Sequence, residues 1–292
     1  NVIEASGSSS AATLTLTGSL APSRAGTYGA TLGGSNAGTN VFAGVIGNGS
    51  AGGTLGLVKA GSTTWVLTGT STYTGPTTVS AGRLSVNGAL GTTAVTVQGG
   101  AELGGSGSIA GSLAVLAGGT LAPGNSIASL AGGSTSFAAG STFGYEVDSS
   151  LLGSLGTAAD LLVVSGNLDI AAGSLLSFAD ITSGTVQPFV KDTTVFAMIN
   201  YSGAWNGGLF TYGGTPLADG STFTVGSQQW VIDYNAATGG ANYTADYLPS
   251  SSFVTVMAVP EPGAVTLTGV ATILAGVVVS RGRHRRPRPA GP

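Results

Sequence analysis

Four carboxylates carry the main chemical possibility in this chain. Glu146 and Asp148 alternate onto one face of a predicted strand, and Asp160 and Asp169 follow where the next turn of the chain could bring them alongside. Two carboxylates about 5 to 10 Å apart can act as the acid and the base or nucleophile of glycoside hydrolysis. Carboxylates that point outward from strands also protect a sheet from aggregation. The sequence therefore leaves two interpretations of this set open, a hydrolytic site and a solvated surface.

Other classes of catalytic site lack the necessary residues. The chain contains no Cys, and its one His, His284, lies among arginines near the C-terminus. A Cys nucleophile, a His-dependent triad and a multi-His metal site are therefore excluded. Residues 104–109 partly match a calcium-binding repeat, but Ile109 stands where that repeat has its Asp ligand. We predict no cofactor and no metal.

Large aromatic side chains offer a further binding hypothesis. They could form a surface on which sugars stack, while packing at turns and in the predicted cap is the default role of these side chains. The candidates are Trp65, Tyr73, Trp205 and Trp230.

The composition indicates which kind of fold must position these residues. The chain has 292 residues, of which 51 are Gly, 42% are hydrophobic and only 7% are charged. A disordered chain would be richer in charge and poorer in Thr and Val, so the glycines indicate many tight turns between strands. Before residue 281 there are four basic residues against twelve acidic ones, a net charge of about −8. This charge would repel a phosphate backbone, so we predict no nucleic-acid partner.

The segment 57–88 sets the pattern for the rest of the chain. Short runs of Thr, Val, Leu and aromatic residues alternate with polar ones, and a glycine-containing turn interrupts them every six to ten residues. This rhythm predicts strands and turns without a helix. The segment contains, in order, a Lys-Ala-Gly turn, the strand Trp-Val-Leu-Thr-Gly, the turn Tyr-Thr-Gly-Pro-Thr-Thr and the strand Ala-Gly-Arg-Leu-Ser-Val. It resembles the autotransporter-associated β-strand repeat of bacterial surface and secreted proteins. The resemblance implies stacked rungs of a right-handed parallel β-solenoid, or β-helix.

Weaker copies of this pattern extend the prediction along the chain. Residues 11–17 and 39–46 precede the repeat, and short apolar runs separated by paired glycines follow it up to about residue 190. We therefore predict a solenoid over residues 1–190, with rungs of roughly 20 to 25 residues that each rise about 4.8 Å. Residues 191–258 contain longer and more aromatic strands, which predict a β-rich cap over the last rung. The fold class is all-β.

The C-terminal segment 259–292 has three parts in order: a Pro-Glu-Pro motif, an uncharged apolar run and a cluster of arginines. An uncharged run over 263–280 predicts one transmembrane helix, and the basic residues after it favour a cytoplasmic end. The order of motif, helix and arginines resembles the PEP-CTERM sorting signal of Gram-negative bacteria. An uncut tail anchor is the alternative. The motif comprises Val259, Pro260, Glu261 and Pro262, and the topology-setting arginines are Arg281, Arg283, Arg285 and Arg286.

The resemblance of the tail implies a partner and a location. The partner is an exosortase-type membrane transpeptidase that cuts near residues 260–262. The protein would be exported, held for a time in the inner membrane, and then placed at the cell surface or in the exopolysaccharide matrix.

We predict a non-enzymatic structural or adhesive surface protein with polysaccharide as its candidate ligand. Two other functions stay open, a carbohydrate-active β-helix enzyme and a fragment of an autotransporter passenger.

Overall fold

The structure is a computed structural model that describes residues 2–7, 12–182 and 194–259. Residues up to Val259 form one compact unit, and residues 260–292 form a second unit that lies outside the described residues. The predicted transmembrane helix at 263–280, most of the sorting motif and the terminal arginines therefore fall outside the described part.

The described chain consists almost entirely of strands. Two short 3-10 helices, Ser149–Thr157 and Thr244–Asp246, interrupt them. The strands are, in chain order, β1 (Val2–Ala5), β2 (Thr15–Leu16), β3 (Gly26–Gly34), β4 (Thr39–Phe42), β5 (Gly53–Lys59), β6 (Thr64–Leu67), β7 (Thr70–Ser71), β8 (Thr77–Val79), β9 (Gly82–Val86), β10 (Ala89–Leu90), β11 (Val95–Val97), β12 (Ala101–Gly105), β13 (Ser108–Ile109), β14 (Leu113–Val115), β15 (Thr120–Pro123), β16 (Ser129–Gly132), β17 (Thr135–Phe137), β18 (Thr142–Val147), β19 (Leu161–Val164), β20 (Leu168–Ile170), β21 (Ser174–Asp180), β22 (Val195–Tyr201), β23 (Phe210–Tyr212), β24 (Thr215–Pro216), β25 (Thr222–Val225), β26 (Gln228–Ala236) and β27 (Ser252–Val259).

Three sheets enclose one core. The first sheet has the order β1-β3-β5-β8-β11-β14-β17-β20, and all of its pairs are parallel. The second sheet runs β7-β10-β13-β16-β19-β22 and continues into β27-β26-β25, and the third runs from β2 through β4, β6, β9, β12, β15, β18, β21 and β23 to β24. From β5 to β22, successive strands of the chain pass from sheet to sheet in a fixed order, so each sheet receives one strand per turn. The expected all-β architecture of stacked parallel strands is confirmed, and its right-handedness stays a prediction.

Paired residues show how long each rung is. The strands β8, β11 and β14 are paired in register at Thr77, Val95 and Leu113. The rung from Thr77 to Val95 and the rung from Val95 to Leu113 are therefore equal in length, and both are slightly shorter than the sequence predicts. The next rung, from Leu113 to Thr135, falls within the predicted range. The rung from Thr135 to Leu168 is much longer, because the 3-10 helix Ser149–Thr157 is inserted in it.

The side chains of the strands alternate between the core and the surface. In β5 and β18, every second residue is buried and those between are partly exposed. Since successive side chains of a strand point to opposite faces, the Leu-Gly-Leu and Phe-Gly-Tyr alternations place the larger side chains inside. One continuous cluster of buried side chains runs from Ala5 to Ala258.

The parallel ladder extends into the segment predicted as the cap. β22 pairs in parallel with β19 on one side and antiparallel with β27 on the other. β27, β26 and β25 then form an antiparallel meander that continues the second sheet. The predicted boundary between the solenoid and the cap, near residue 190, lies within 183–193 and so outside the described residues. It remains a prediction.

Among the described residues no helix has the length and apolar character required to cross a bilayer. The predicted span at 263–280 is not covered by this finding.

Candidate functional site

The structure brings together three of the four carboxylates that the sequence grouped and places the fourth in another sheet. Glu146 and Asp148 are partly exposed neighbours on the outer face of the third sheet, at and just after the end of β18. Asp160 lies next to them, since its Oδ2 accepts a hydrogen bond of 2.9 Å from the backbone N–H of Glu146. Asp169 lies in β20, in the first sheet, and does not join this group.

Asp160 is a fully buried link between two rungs. Its Oδ1 accepts a hydrogen bond of 2.9 Å from the backbone N–H of Ala128, and its side chain has no solvent exposure. Burial raises the pKa of Asp160 to about 8, although both backbone donors favour the charged form. A buried carboxyl bound to two backbone donors holds the chain together and offers no open position for a substrate.

Asp148 is also occupied. Its Oδ1 accepts hydrogen bonds from the backbone N–H of Ser150 at 2.9 Å and from the hydroxyl of Thr182 at 2.9 Å. The hydrogen bond from the Ser150 hydroxyl lowers the pKa of Asp148. Because a catalytic acid needs a raised pKa and a nucleophile needs an open face, Asp148 fits neither role well.

An arginine that sequence reasoning did not single out crosses this part of the third sheet. Arg83 of β9 forms an ion pair with Glu102 of β12 and donates a hydrogen bond to the carbonyl of Gly124. Gly104 lies beneath the side chain, and a Cβ there would approach the Arg83 guanidinium to 2.5 Å. Burial lowers the pKa of Arg83, and the carboxylates of Glu146 and Asp160 oppose that shift. The only sequence feature that could have pointed to this ion pair was a lone Arg in an otherwise uncharged strand.

Lys59 of β5 is fully buried and holds two turns together. Its ammonium donates to the carbonyls of Ala60 at 2.9 Å, of Gly61 at 2.9 Å and of Ala81 at 2.8 Å, so all three protons have acceptors. Burial lowers the pKa of Lys59 to about 8. The Lys-Ala-Gly turn of the repeat is thus a structural element and not a reactive one.

Three of the four aromatic candidates belong to the core. Trp65, Tyr73 and Trp230 are at most 1% exposed, and Trp65 donates a hydrogen bond of 3.0 Å to the carbonyl of Gly33. Trp205 is partly exposed, but its ring stacks on Tyr234 with the ring centroids 5.2 Å apart. The packing role is confirmed for the three buried rings, so a sugar-stacking surface made of all four is wrong.

The outer face of the first sheet presents a column of small uncharged side chains. The column takes one residue from each of β5, β8, β11, β14 and β17, and all five are in register and partly exposed. They are Val58, Thr78, Thr96, Ala114 and Ser136. Adjacent members are separated by about 4.8 Å, the spacing of strands in a sheet. We call this column the hydroxyl face, because three of its five members, Thr78, Thr96 and Ser136, carry hydroxyl groups that it can offer to a long ligand.

Metal ligands do not cluster in the described part of the chain, where no three His, Cys, Asp or Glu side chains come together as a cation site. Of the predicted sorting motif, only Val259 is described. It ends β27, where it pairs with Gln229, and its carbonyl accepts a hydrogen bond of 2.9 Å from the Gln228 side chain.

Comparison with known proteins finds one repeat within the described rungs. Residues 57–86 match the model of the passenger-associated-transport-repeat family. A stretch of 55 residues is 49% identical to the adhesin BmaC autotransporter of Brucella suis biovar 1 (strain 1330). This stretch covers 19% of the chain but only 2% of that relative. The match therefore identifies the rungs around β5 to β9 as similar to a repeat found in autotransporter passengers.

Proposed function

We propose that this chain is an exported, non-enzymatic surface protein of a Gram-negative bacterium, with an adhesive role like that of an autotransporter passenger. Its stacked rungs would act as a stiff support that presents uncharged surfaces to polysaccharide. The function is mechanical and interfacial, and it needs no cofactor.

One observation carries this proposal. The repeat that matches the passenger-associated family lies within the parallel rungs, at β5 to β9, and the adjoining rungs continue the hydroxyl face. Each rung satisfies its backbone groups by pairing with the rungs on both sides. Such a support is well suited to hold a binding surface at a distance from the cell.

The sequence of the tail supports a sorting route. The motif at 259–262, the uncharged run at 263–280 and the arginines from Arg281 onward would direct processing by an exosortase-type transpeptidase. The protein would be anchored in the inner membrane until it is cut, and would then stay at the surface or in the exopolysaccharide matrix.

The carboxylates give little support to the enzyme alternative. Asp160 is buried, Asp148 is held by hydroxyl and backbone donors, and Asp169 lies in another sheet. Glu146 alone would lack the second open carboxylate that glycoside hydrolysis requires.

Fractionation of the native cells, followed by mass spectrometry of the mature protein, tests location and processing together. We expect the protein in the surface or matrix fraction with a C-terminus near Glu261. An intact arginine tail would contradict the sorting route, and a cytoplasmic protein would contradict the surface role.

A deletion strain tests adhesion. It should attach less well to a polysaccharide-coated surface, and the intact gene should restore attachment. Equal attachment of the two strains would contradict the adhesive role.

A further inference from the structure

We infer that a groove on the third sheet, lined by residues of β18, β21 and β23, binds a neutral polysaccharide chain. This inference rests on the proposed surface function and gives it a binding site. The groove has a volume of about 500 Å³, within the usual range for ligand sites. Its lining residues are Thr142, Leu175, Leu176, Ser177, Phe178, Thr211, Tyr212 and Gly213.

The groove forms where two strands part. β23 pairs with β21 only at Ser174 with Phe210 and at Leu175 with Thr211. Tyr212 then pairs with Thr215 in the antiparallel hairpin of β23 and β24. From Leu176 onward, the edge of β21 that faces β23 has no strand partner among the described residues, and a cleft opens there.

Small residues deepen the approach to the cleft. Ala122, Gly144 and Ser177 follow one another across β15, β18 and β21 on the outer face. A Cβ at Gly144 would approach the Cβ of Ala122 to 2.9 Å, so no larger side chain fits at this point. The outer face beside the groove is therefore covered by small side chains.

The lining has the chemistry of a sugar site. The ring of Tyr212 is partly exposed and Leu175 is 41% exposed, so both offer apolar surface to the C–H face of a pyranose. The hydroxyl groups of Thr142 and Ser177 make no side-chain hydrogen bond with other described residues and lie on partly exposed and exposed positions, so they are available to ligand hydroxyls, whereas Thr211 is buried.

Charge decides which polymer is favoured. None of the lining residues is charged, while the chain before residue 281 is acidic overall. An acidic polysaccharide would meet repulsion and would find no cation in the groove. A neutral glycan is not repelled by the acidic chain and needs no cation in the groove. An extended peptide that pairs with the open edge of β21 is the competing occupant.

Calorimetric titration of the full chain with cellohexaose and maltohexaose tests the inference, with hexagalacturonate as the acidic probe. We expect at least one neutral hexasaccharide to bind and the acidic one to bind more weakly. Tyr212→Ala should reduce the affinity by about tenfold, because the apolar platform is lost. Tyr212→Phe should stay close to the original affinity.

Two further variants separate binding from folding. Tyr212 contacts Phe223 of β25, so Tyr212→Ala also weakens the packing of the antiparallel strands. Ser177→Arg fills the groove from an exposed position and should abolish binding while the melting temperature stays unchanged. Tyr28→Ala, at a tyrosine that is 38% exposed in β3, should leave binding unchanged.

The inference is overturned if no neutral hexasaccharide binds at millimolar concentration, or if Ser177→Arg binds as well as the original chain. Preference for hexagalacturonate or for an unstructured Thr- and Val-rich peptide would overturn it as well. These outcomes are distinct from failure of the proposed function. A protein that reaches the matrix but ignores neutral sugars contradicts only the groove, whereas a cytoplasmic protein contradicts the surface role whatever the groove binds.

Discussion

Two buried ionisable residues, the acid Asp160 and the base Lys59, both hold rungs together through hydrogen bonds to the backbone. Asp160 links Ala128 and Glu146 through its two carboxyl oxygens, and Lys59 links two turns through three carbonyls. Each is completely enclosed, so removal of its partners would leave a buried polar group without compensation. Asp160 was a catalytic candidate in the sequence, and in the fold it has the same structural role as Lys59.

The raised pKa of Asp160 predicts a specific dependence of stability on pH. Its pKa is about 8 in the fold against an ordinary value of 3.8, so between these pH values the folded chain binds more protons than the unfolded chain. Its contribution is fully present below pH 3.8 and is lost as the pH rises through 8. Between pH 6 and 8 the unfolding equilibrium should therefore shift toward the unfolded chain by up to about tenfold per pH unit.

Denaturant unfolding at pH 6, 7 and 8 checks this prediction. Asp160→Asn removes the titrating carboxyl and should remove most of the slope, whereas Asp169→Asn, at an exposed position in β20, should retain it. An equal slope in Asp160→Asn would refute the assignment. Lys59 adds the opposite trend only between pH 8 and 10.5, where the unfolded chain binds more protons.

At the scale of the element, the turns of the repeat depend on one close approach. Gly82 begins β9 with a φ of +63°, beside the Lys59 ammonium. A Cβ at this position would lie 2.6 Å from the carbonyl oxygens of Gly61 and Thr63 and 2.8 Å from Lys59 Nζ. Two adjacent rungs therefore meet at a point where only glycine fits. This explains why the Ala-Gly dipeptide belongs to the repeat.

Gly82→Ala should destabilise the rungs by more than the backbone strain alone. We expect a loss of at least about 2 kcal/mol in unfolding free energy, because strain and contact with two carbonyls add together. Gly100 is the matched control, since its φ is +78° and a Cβ there would meet nothing within 4 Å. Gly100→Ala should cost about 1 kcal/mol. Equal losses in the two variants, measured by denaturant unfolding, would show that the close approach has no energetic weight.

At the scale of the described molecule, the loop between β26 and β27 is docked on the outer side of the second sheet. Asn242 is fully buried and donates from Nδ2 to the carbonyls of Asp160 at 2.7 Å and Ala197 at 2.9 Å. Its Oδ1 accepts from the Ala197 backbone N–H at 2.8 Å. Tyr247 and Leu248 pack beside it against Leu161, Val163, Ala197 and Phe253. The rungs and the antiparallel strands are thus joined by a polar clamp within an apolar contact.

Asn242→Ala should release this loop. The lost hydrogen bonds leave buried carbonyls unpaired, so we expect a loss of about 2 to 4 kcal/mol and faster amide exchange in residues 237–251. Exchange in β8, β11 and β14 should stay slow. The control is Asn87→Ala, at an exposed position whose Oδ1 accepts one hydrogen bond of 3.3 Å. Unchanged exchange at 237–251 would contradict the role of Asn242 as a clamp.

The pattern of Thr, Val, Leu and Gly was enough to predict strands, turns and stacked rungs, because alternation with period two and glycine turns are local properties of the chain. The segment 57–88 illustrates this, since its turns and strands lie where the repeat predicts them. Only the tertiary structure decided which residues of different rungs lie beside one another. It enclosed Asp160, Lys59 and Trp65, placed Asp169 in a different sheet from Glu146, and opened the groove where β23 leaves β21. Burial, pKa and access depend on which rungs lie beside a residue, and the unequal lengths of the rungs cannot be read from local pattern alone.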